Sequence, residues 1–264
     1  MKTTLIIIAA VIALALFGVA AYVLRPPEQA SAPIQATPIA TQAQIVPTPT
    51  AQIETQPTLE PAATDVPTQS PNPTTEMTGS ETGAYPSGTV TYQIVQAESQ
   101  ARFSIDEVLR GKPFTAVGAT SQVAGEIAVN FDNLGAQVGI IQVNARTLKT
   151  DNNFRDRAIN NEILDTAQYE YITFEPTAVT GLPASVNANQ EFSFQITGSL
   201  TIRDITKEVT FEVRLTPISA DRMQGYASAT VLRSDYKLTI PSVPSVADVS
   251  DQVLLEIDFV AVRK

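Results

Sequence analysis

The stretch EFSFQITGSLTIRDITKEVTFEVRL, residues 191–215, decides the fold of this chain. Apolar residues or glycine occupy every even position in 192–202, and polar residues occupy the odd positions between them. After a polar break at 203–208, the alternation resumes over 209–215. A period of two places successive side chains on opposite faces of a strand. The stretch therefore predicts a β-hairpin with one apolar face and one solvent-exposed face.

Alternating segments recur throughout residues 89–264 and predict about eight strands in all. Besides the hairpin, the predicted strands cover 90–95, 102–108, 123–131, 137–146, 171–179, 224–233 and 254–262. Many short alternating strands favour an antiparallel barrel or a sandwich. A strand as long as 192–202 coils, which favours closure into a barrel. We therefore predict an all-β domain over 89–264, long enough to form one hydrophobic core.

One segment, TDNNFRDRAINNEIL at residues 150–164, instead predicts a short helix. Thr150 or Asp151 is a suitable N-terminal cap, because its side-chain oxygen accepts a hydrogen bond from a free backbone N–H group. The spacing of Phe154 and Ala158 indicates a narrow apolar stripe that continues to Ile159 and Ile163. Such a helix either seals one end of the barrel as a passive lid or gates the entry of a ligand.

Residues 1–25 carry a membrane signal. Segment 5–24 is a run of twenty residues without a charged side chain. At a rise of about 1.5 Å per residue, this length matches the roughly 30 Å hydrocarbon core of a bilayer. We interpret the run as a single-pass transmembrane anchor. A cleaved signal peptide is the alternative, because Gly18, Val19 and Ala20 offer small residues at a cleavage site. In both cases we expect the rest of the chain to lie outside the cytoplasm: at the cell membrane if the anchor is retained, and secreted or periplasmic if the N-terminus is cleaved.

Residues 26–88 have the composition of a disordered linker. Twelve of the 18 prolines fall here, with many threonines, glutamines and alanines and no lysine or arginine. Such a segment buries too little apolar surface to offset the conformational entropy lost on folding. We therefore predict a Pro/Thr-rich stalk between the anchor and the folded domain.

The composition excludes several functional classes. The chain has no cysteine and no histidine, which removes the usual thiol nucleophile, the commonest general base and most transition-metal ligands. The net charge is −10 and no basic stripe is present, so we expect no nucleic-acid partner. Asp106 and Glu107 are adjacent in a predicted strand and point to opposite faces, so they cannot act as a catalytic pair. We predict no catalytic residues, no metal site and no cofactor.

Several short motifs in residues 89–264 resemble those of the YceI-like domain family. They are Thr147-Leu148-Lys149-Thr150, Arg155-Asp156 before Ile163-Leu164, the segment YEYITF at 169–174, GSLTI at 198–202, TKEVTF at 206–211 and Arg233-Ser234-Asp235-Tyr236. The resemblance implies a lipocalin-like eight-stranded barrel that binds a polyisoprenoid or a similar long-chain lipid. The chain departs from the family pattern in having Arg203-Asp204 in place of the hairpin glycine. It also lacks the histidine that many members carry in their early strand.

An eight-stranded barrel is wide enough for a slender ligand, and every second residue of each strand faces its interior. The predicted interior residues are apolar: Phe103, Ile105, Ile127, Val129, Phe194, Ile196, Phe211, Val213, Ile257 and Phe259. On the helical segment, Phe154 is a candidate for contact with a lipid tail. Arg155 and Arg157 are candidates for an anionic head group, because guanidinium pairs well with phosphate.

Two functions remain open at the level of sequence. The first is a membrane-tethered protein that binds a long-chain lipid inside its barrel. The second is a stalked structural or protein-interaction module whose interior is solid. A bound lipid in the purified protein distinguishes them. The sequence identifies no protein partner.

Overall fold

The computed structural model describes residues 26, 28–39, 87–132 and 135–264. Thirteen strands of the described part form one antiparallel sheet. They are β1 Thr89–Ile94, β2 Gln100–Leu109, β3 Lys112–Thr120, β4 Val123–Ala124, β5 Glu126–Asn130, β6 Gly135–Val138, β7 Ile141–Asn144, β8 Tyr171–Thr180, β9 Phe192–Ile202, β10 Ile205–Ser219, β11 Arg222–Leu232, β12 Val246–Ala247 and β13 Gln252–Arg263.

The sheet curls around a single hydrophobic core. Its main path runs β4-β7-β8-β9-β10-β11-β13-β1-β5-β6, and the hairpin β2–β3 pairs with the first half of β13. Strands β4 and β5 lie near opposite ends of this path, yet Gly125 alone separates them in the sequence. This short connection forces the two ends of the path together and gives the sheet its curvature.

The all-β antiparallel prediction is confirmed, but the number of strands is wrong. Two predicted strands are each divided in two, at Gly125 and between Val138 and Ile141. Strand β3 was not predicted, because its buried inward positions include Ala116 and Gly118, which produce no alternation of large apolar residues. The two-residue strand β12 is too short to give a pattern.

The hairpin that dominates the sequence forms β9 and β10 in continuous register, from Ile202 opposite Ile205 to Phe192 opposite Leu215. Its inward positions are buried, whereas its outer face carries pairs of polar side chains across the strands. On that face the hydroxyl groups of Thr197 and Thr210 form a hydrogen bond, with their oxygens 2.8 Å apart. The alternation therefore separates core from solvent as predicted.

The helical segment is shorter than predicted. Helix α1 covers Asn153–Ala158 and continues into a π-helical turn at Ile159–Ile163. Its N-terminal cap is Asn152, whose side chain accepts hydrogen bonds from the backbone of Phe154 and Arg155. Neither Thr150 nor Asp151 caps the helix, because the Thr150 hydroxyl instead donates to Asp156 Oδ1 at 2.7 Å.

The predicted anchor at 1–25 lies outside the described residues, as does most of the predicted linker. None of the helices in the described part of the chain has the length and apolar character needed to cross a bilayer. Residues 28–39 are described, and several of them contact the domain, with Ile34 buried. The linker prediction, made from composition alone, did not foresee this contact.

Candidate ligand-binding cavities

Two apolar cavities lie inside the curled sheet, with volumes of about 120 Å³ and about 150 Å³. Strands β8, β9, β11 and β13 contribute side chains to both. On β13, Val253 and Leu255 face the second cavity, whereas Ile257 and Phe259 face the first. On β9, Ile196 faces the first cavity and Ile202 the second, six residues further along. The two cavities therefore follow one another along a common interior.

The first cavity is almost entirely hydrocarbon. Its lining includes aromatic and aliphatic side chains from β1, β5, β9, β10 and β13, together with Leu182, Pro183 and Val186 of the connection between β8 and β9. The Tyr92 hydroxyl, one of the few polar groups among the lining residues, donates to the carbonyl oxygen of Ala220 at 2.7 Å. No charged side chain of the described residues lines this cavity. Such a space accommodates an alkyl or prenyl chain and offers nothing to a head group.

Two aromatic residues of the first cavity, Phe174 and Phe211, pack against each other. The Phe174 and Phe211 rings meet edge to face, with centroids 4.9 Å apart. Gly198 lies beside this pair, and a Cβ atom there would come within 2.4 Å of the Glu175 carbonyl oxygen and 2.8 Å of the Phe174 ring. This glycine therefore accommodates the neighbouring strand and the Phe174 ring. It does not open space for a ligand.

Four polar or charged residues line the second cavity among its aliphatic side chains, namely Glu107, Arg155, Arg233 and Tyr236. Arg155 Nη2 lies 3.0 Å from Glu107 Oε1, and its guanidinium carbon lies 5.3 Å from the centre of the Phe114 ring. Arg155 also pairs with Asp151, one helical turn earlier. Its positive charge is therefore matched by two carboxylates.

Arg233 is held by backbone carbonyl groups. Its Nε donates to the Ser250 carbonyl oxygen at 3.0 Å, and Nη1 donates to the Leu238 carbonyl oxygen at 3.2 Å. Asp251 lies 3.8 Å from the same Nε. These contacts fix the loop that follows β11 at the edge of the second cavity, and they occupy donors that a phosphate would otherwise take.

Tyr236 is the exceptional residue of the second cavity. Its side chain is 1% exposed, and its hydroxyl has no hydrogen-bond partner among the described residues. Burial, with a further contribution from the charge of Asp235, raises the pKa of Tyr236 to about 12. The hydroxyl therefore stays protonated and can donate to an oxygen placed in the cavity. An unpaired buried hydroxyl is costly, so a ligand oxygen that accepted its hydrogen bond in this cavity would be stabilised there.

The structure brings together most of the predicted interior residues. Those lining the first cavity are Ile127, Val129, Phe194, Ile196, Phe211, Val213, Ile257 and Phe259. Phe103, Ile105 and Arg155 line the second cavity. The inward parity of the strands, read from the sequence, was sufficient to find all of these residues except Arg155, which was selected on the helical segment.

Two predicted residues of the helical segment lie outside both cavities. Phe154 is 71% exposed, and the Arg157 guanidinium lies over its ring at 5.9 Å from the centroid. The half of the predicted stripe formed by Phe154 and Ala158 is thus not the buried face of this segment. Ile159 and Ile163, its other half, line the second cavity, and Asp156 and Asn160 are also buried.

Sequence reasoning did not select Glu107 or Tyr236 as site residues. Glu107 lies on the same face of β2 as Phe103 and Ile105 and is buried, but a charged side chain was not expected among inward-facing residues. Tyr236 belongs to the Arg-Ser-Asp-Tyr motif, but it follows β11 in a 3₁₀ turn, where alternation carries no information about direction.

Comparisons with known proteins agree on the fold. The sequence profile of the YceI-like domain matches residues 92–261. A polyisoprenoid-binding domain from Saccharophagus degradans, implicated in plant cell wall breakdown, superposes with a TM-score of 0.54 at 11% identity, covering 66% of this chain and 99% of that chain. BcnA of Burkholderia cenocepacia superposes with a TM-score of 0.51 at 16% identity, covering 63% of this chain and 98% of that chain. No curated protein sequence matches the chain at a significant level.

Proposed function

We propose that this chain, which belongs to the YceI-like domain family, binds a polyisoprenoid or a similar long-chain amphipathic lipid inside its curled sheet, outside the cytoplasm. One observation carries the proposal. Strands β8, β9, β11 and β13 line two apolar cavities in succession along one interior, and we propose that one extended chain occupies both. The solved Saccharophagus degradans domain, described as polyisoprenoid binding, has the same fold.

The distribution of polar groups gives the bound lipid a direction. The first cavity has no charged side chain among its described lining residues, so it takes the apolar tail. The second cavity contains the free Tyr236 hydroxyl and the Glu107–Arg155 pair, so it takes the polar end. A carbonyl or hydroxyl oxygen suits the tyrosine donor, since the nearby arginines already contact carboxylates and backbone carbonyl groups.

Binding needs no catalytic step from this chain. We propose no enzymatic activity, no metal and no cofactor, because the lack of histidine and cysteine removes the groups that most often supply such chemistry. The apolar run at 5–24 is proposed to anchor the protein in the cell membrane as a single-pass segment, so that the domain stays near a source of lipid. If the N-terminus is cleaved, the same domain acts as a secreted or periplasmic carrier.

The proposal is tested by organic extraction of the full chain purified in detergent, followed by mass spectrometry of the extract. We expect a long-chain lipid in stoichiometric amount. An Ala227→Phe variant introduces a ring into the first cavity, so we expect it to lose that lipid. The matched control is Ala178→Phe, at an exposed position on β8, which should retain it.

Equal lipid content in the two variants would overturn the proposal that the first cavity holds the tail. A parent protein that contains no lipid, even after incubation with polyisoprenol micelles, would instead favour a structural module with a solid interior. Thermal unfolding of both variants ensures that a loss of lipid is not a loss of fold.

A further inference from the structure

Part of the segment between the apolar run and the domain is bound to the domain surface. Both the backbone N–H and the hydroxyl of Ser31 donate to the Glu170 carboxylate, at 2.8 Å and 2.6 Å. Arg146 lies beside them, with Nη1 at 3.0 Å from Ser31 Oγ and Nη2 at 3.5 Å from Glu28 Oε2. These contacts join residues more than 100 positions apart in the sequence.

The contacts continue along residues 28–39, which we call the docked segment. The side chain of Ile34 is 5% exposed, and its carbonyl oxygen accepts a hydrogen bond from the Gln96 side chain. The backbone N–H of Ile39 donates to Glu126 Oε2 at 3.1 Å. A buried isoleucine flanked by hydrogen bonds at both ends fixes the direction of the segment on the sheet.

This direction places the start of the docked segment at the second cavity. Arg146, which contacts Glu28, also donates to the carbonyl oxygens of Thr166 and Ala167. Those residues follow Leu164, which lines the second cavity. The far end of the segment, Ile39, contacts Glu126, next to the first-cavity residue Ile127.

The apolar run ends at Leu24, four residues before Glu28. Four residues span at most about 14 Å even when fully extended. The chain between Ile39 and Ser87 begins and ends on the domain, so it does not set the distance between the domain and the apolar run. The end of the domain that contains the second cavity therefore lies close to whatever residues 5–24 are embedded in.

The rim of the second cavity has the composition of a membrane-docking surface. Phe154 is 71% exposed and Val243 is 47% exposed. The β2–β3 turn projects beyond Glu107 and carries Arg110 and Lys112, neither of which forms an ion pair with any described residue. Exposed aromatic and aliphatic side chains beside free basic groups are typical of surfaces that insert into the lipid interface.

The loop that follows β11 and the β2–β3 turn are held together at the rim of the second cavity. The backbone N–H of Arg110 donates to the Ser245 carbonyl oxygen at 2.8 Å, and Leu109 pairs with Val246. On the other side of the cavity, Arg155, the residue after Phe154, pairs with Glu107 of β2. The rim is thus one continuous structure around the cavity that holds the free Tyr236 hydroxyl.

From these observations we infer that the rim formed by Arg110, Lys112, Phe154, Arg157 and Val243 docks onto the lipid surface of the membrane, and that the docked segment holds the second cavity toward that surface. The inference rests on the proposed membrane attachment through residues 5–24. Its consequence is that a lipid passes between bilayer and cavity without crossing water, with Phe154 in the interface.

The absence of tryptophan from the chain provides a clean test. Variants of the full chain that each carry one introduced tryptophan are reconstituted in nanodiscs of phosphatidylcholine and phosphatidylglycerol. Each variant is measured once with brominated lipids and once with unbrominated lipids. We expect bromine to quench the Phe154→Trp variant severalfold more strongly than Gln190→Trp, which lies in the exposed connection before β9 near the first cavity. Equal quenching of the two variants would overturn the inference.

A second pair of variants tests the docked segment. In the Phe154→Trp background, Ile34→Asp places a charge at the buried position and should reduce quenching to the level of Gln190→Trp. Gln35→Asp, at the adjacent exposed position, should leave quenching unchanged. Unchanged quenching in Ile34→Asp would show that the segment does not orient the domain.

The same preparations separate this inference from the proposed function. One outcome overturns the docking surface alone: the protein is retained in nanodiscs and contains extractable lipid, but Phe154→Trp is not quenched preferentially. Protein that fails to remain in nanodiscs overturns both the anchor and the docking surface. Lipid-free protein that is nevertheless quenched at Phe154→Trp supports docking and contradicts lipid binding.

Discussion

Ser31 and Glu170 are bound to each other by two hydrogen bonds, although 139 residues separate them in the sequence. Burial by itself raises the pKa of Glu170. The hydrogen bonds from Ser31 and Asn144 and the charge of Arg146 lower it by more than burial raises it, so the pKa lies below the usual 4.5. A carboxyl group whose pKa is lowered in the folded state stabilises that state above its ordinary pKa. The stabilisation is lost as the pH falls through the lowered value.

Replacement of Glu170 by glutamine should therefore release the docked segment at neutral pH. We expect a loss of about 1–2 kcal/mol, because a buried charge-assisted acceptor is replaced by a neutral amide. Hydrogen exchange should accelerate over residues 28–39, and thermal unfolding should give the free energy. Below pH 4.5 the difference between the variant and the parent should diminish, and it should vanish as the pH falls through the lowered pKa of Glu170 and the folded parent becomes protonated. The control Glu175→Gln, at an exposed position on β8, should change neither measurement.

The pair of Gly225 and Phe259 gives a second prediction. These residues are opposite each other on β11 and β13, and a Cβ atom on Gly225 would lie 2.4 Å from the Phe259 Cζ atom and 2.9 Å from the Arg214 carbonyl oxygen. Gly225→Ala should destabilise the domain by about 1–3 kcal/mol through overpacking, measured by chemical denaturation. If ring contact is the cause, Phe259→Leu should suppress part of that cost in the double variant. Strictly additive costs would contradict the explanation.

The alternation of β9 and β10 explains why so much of the interior was predictable. A period of two leaves only one choice, namely which face is inward, and Phe194, Ile196 and Phe211 make that choice unambiguous. The same rule failed at β3, where Ala116 and Gly118 are buried although neither is large. Their space is filled by Phe103, whose ring atom Cε1 would lie 2.2 Å from a Cβ on Gly118.

The helical segment was less predictable because local capping residues compete. Thr150, Asp151 and Asn152 are all good N-terminal caps, and only the tertiary burial of Asp156, which binds Thr150, leaves Asn152 as the cap. The π-helical turn at Ile159–Ile163 then inserts an extra residue per turn, which shifts the buried face away from a simple spacing of four. Phe154, in the helical turn before it, is exposed.

The docked segment could not be predicted from composition. Residues 28–39 contain the prolines and polar residues of a linker, and their two isoleucines, Ile34 and Ile39, form no periodic pattern. Its binding depends on Arg146, Glu170 and Gln122, which come together only after the sheet has folded. A hydrogen-bonded contact of this kind leaves no periodic signal in either partner.

The Arg155–Glu107 pair gives a third prediction. Both side chains are largely buried, 17% and 7% exposed, so removal of the arginine leaves a carboxylate without its counter-charge. Arg155→Met should cost about 3 kcal/mol, and the double variant with Glu107→Gln should recover a large part of that loss. Arg157→Met, on the same helix, should change stability by less than about 0.5 kcal/mol. Equal costs for the two arginine variants, measured by chemical denaturation, would show that Glu107 is not the partner that matters.

The Tyr236 hydroxyl separates stability from ligand binding. It is buried and unpaired in the described structure, and its pKa is raised to about 12, so it remains a donor throughout the physiological range. In the lipid-free protein, Tyr236→Phe removes an unsatisfied polar group and should raise the free energy of unfolding by about 1 kcal/mol.

In the lipid-bound protein the same change removes a hydrogen bond to the polar end of the ligand. The dissociation constant for a prenyl lipid ending in a carbonyl or hydroxyl group should therefore rise by about fivefold, equivalent to about 1 kcal/mol. Binding of a hydrocarbon of equal length without an oxygen should be unaffected, which provides the control. If the variant is less stable without lipid and binds both ligands as the parent does, the hydroxyl has a structural partner and the second cavity does not hold the polar end.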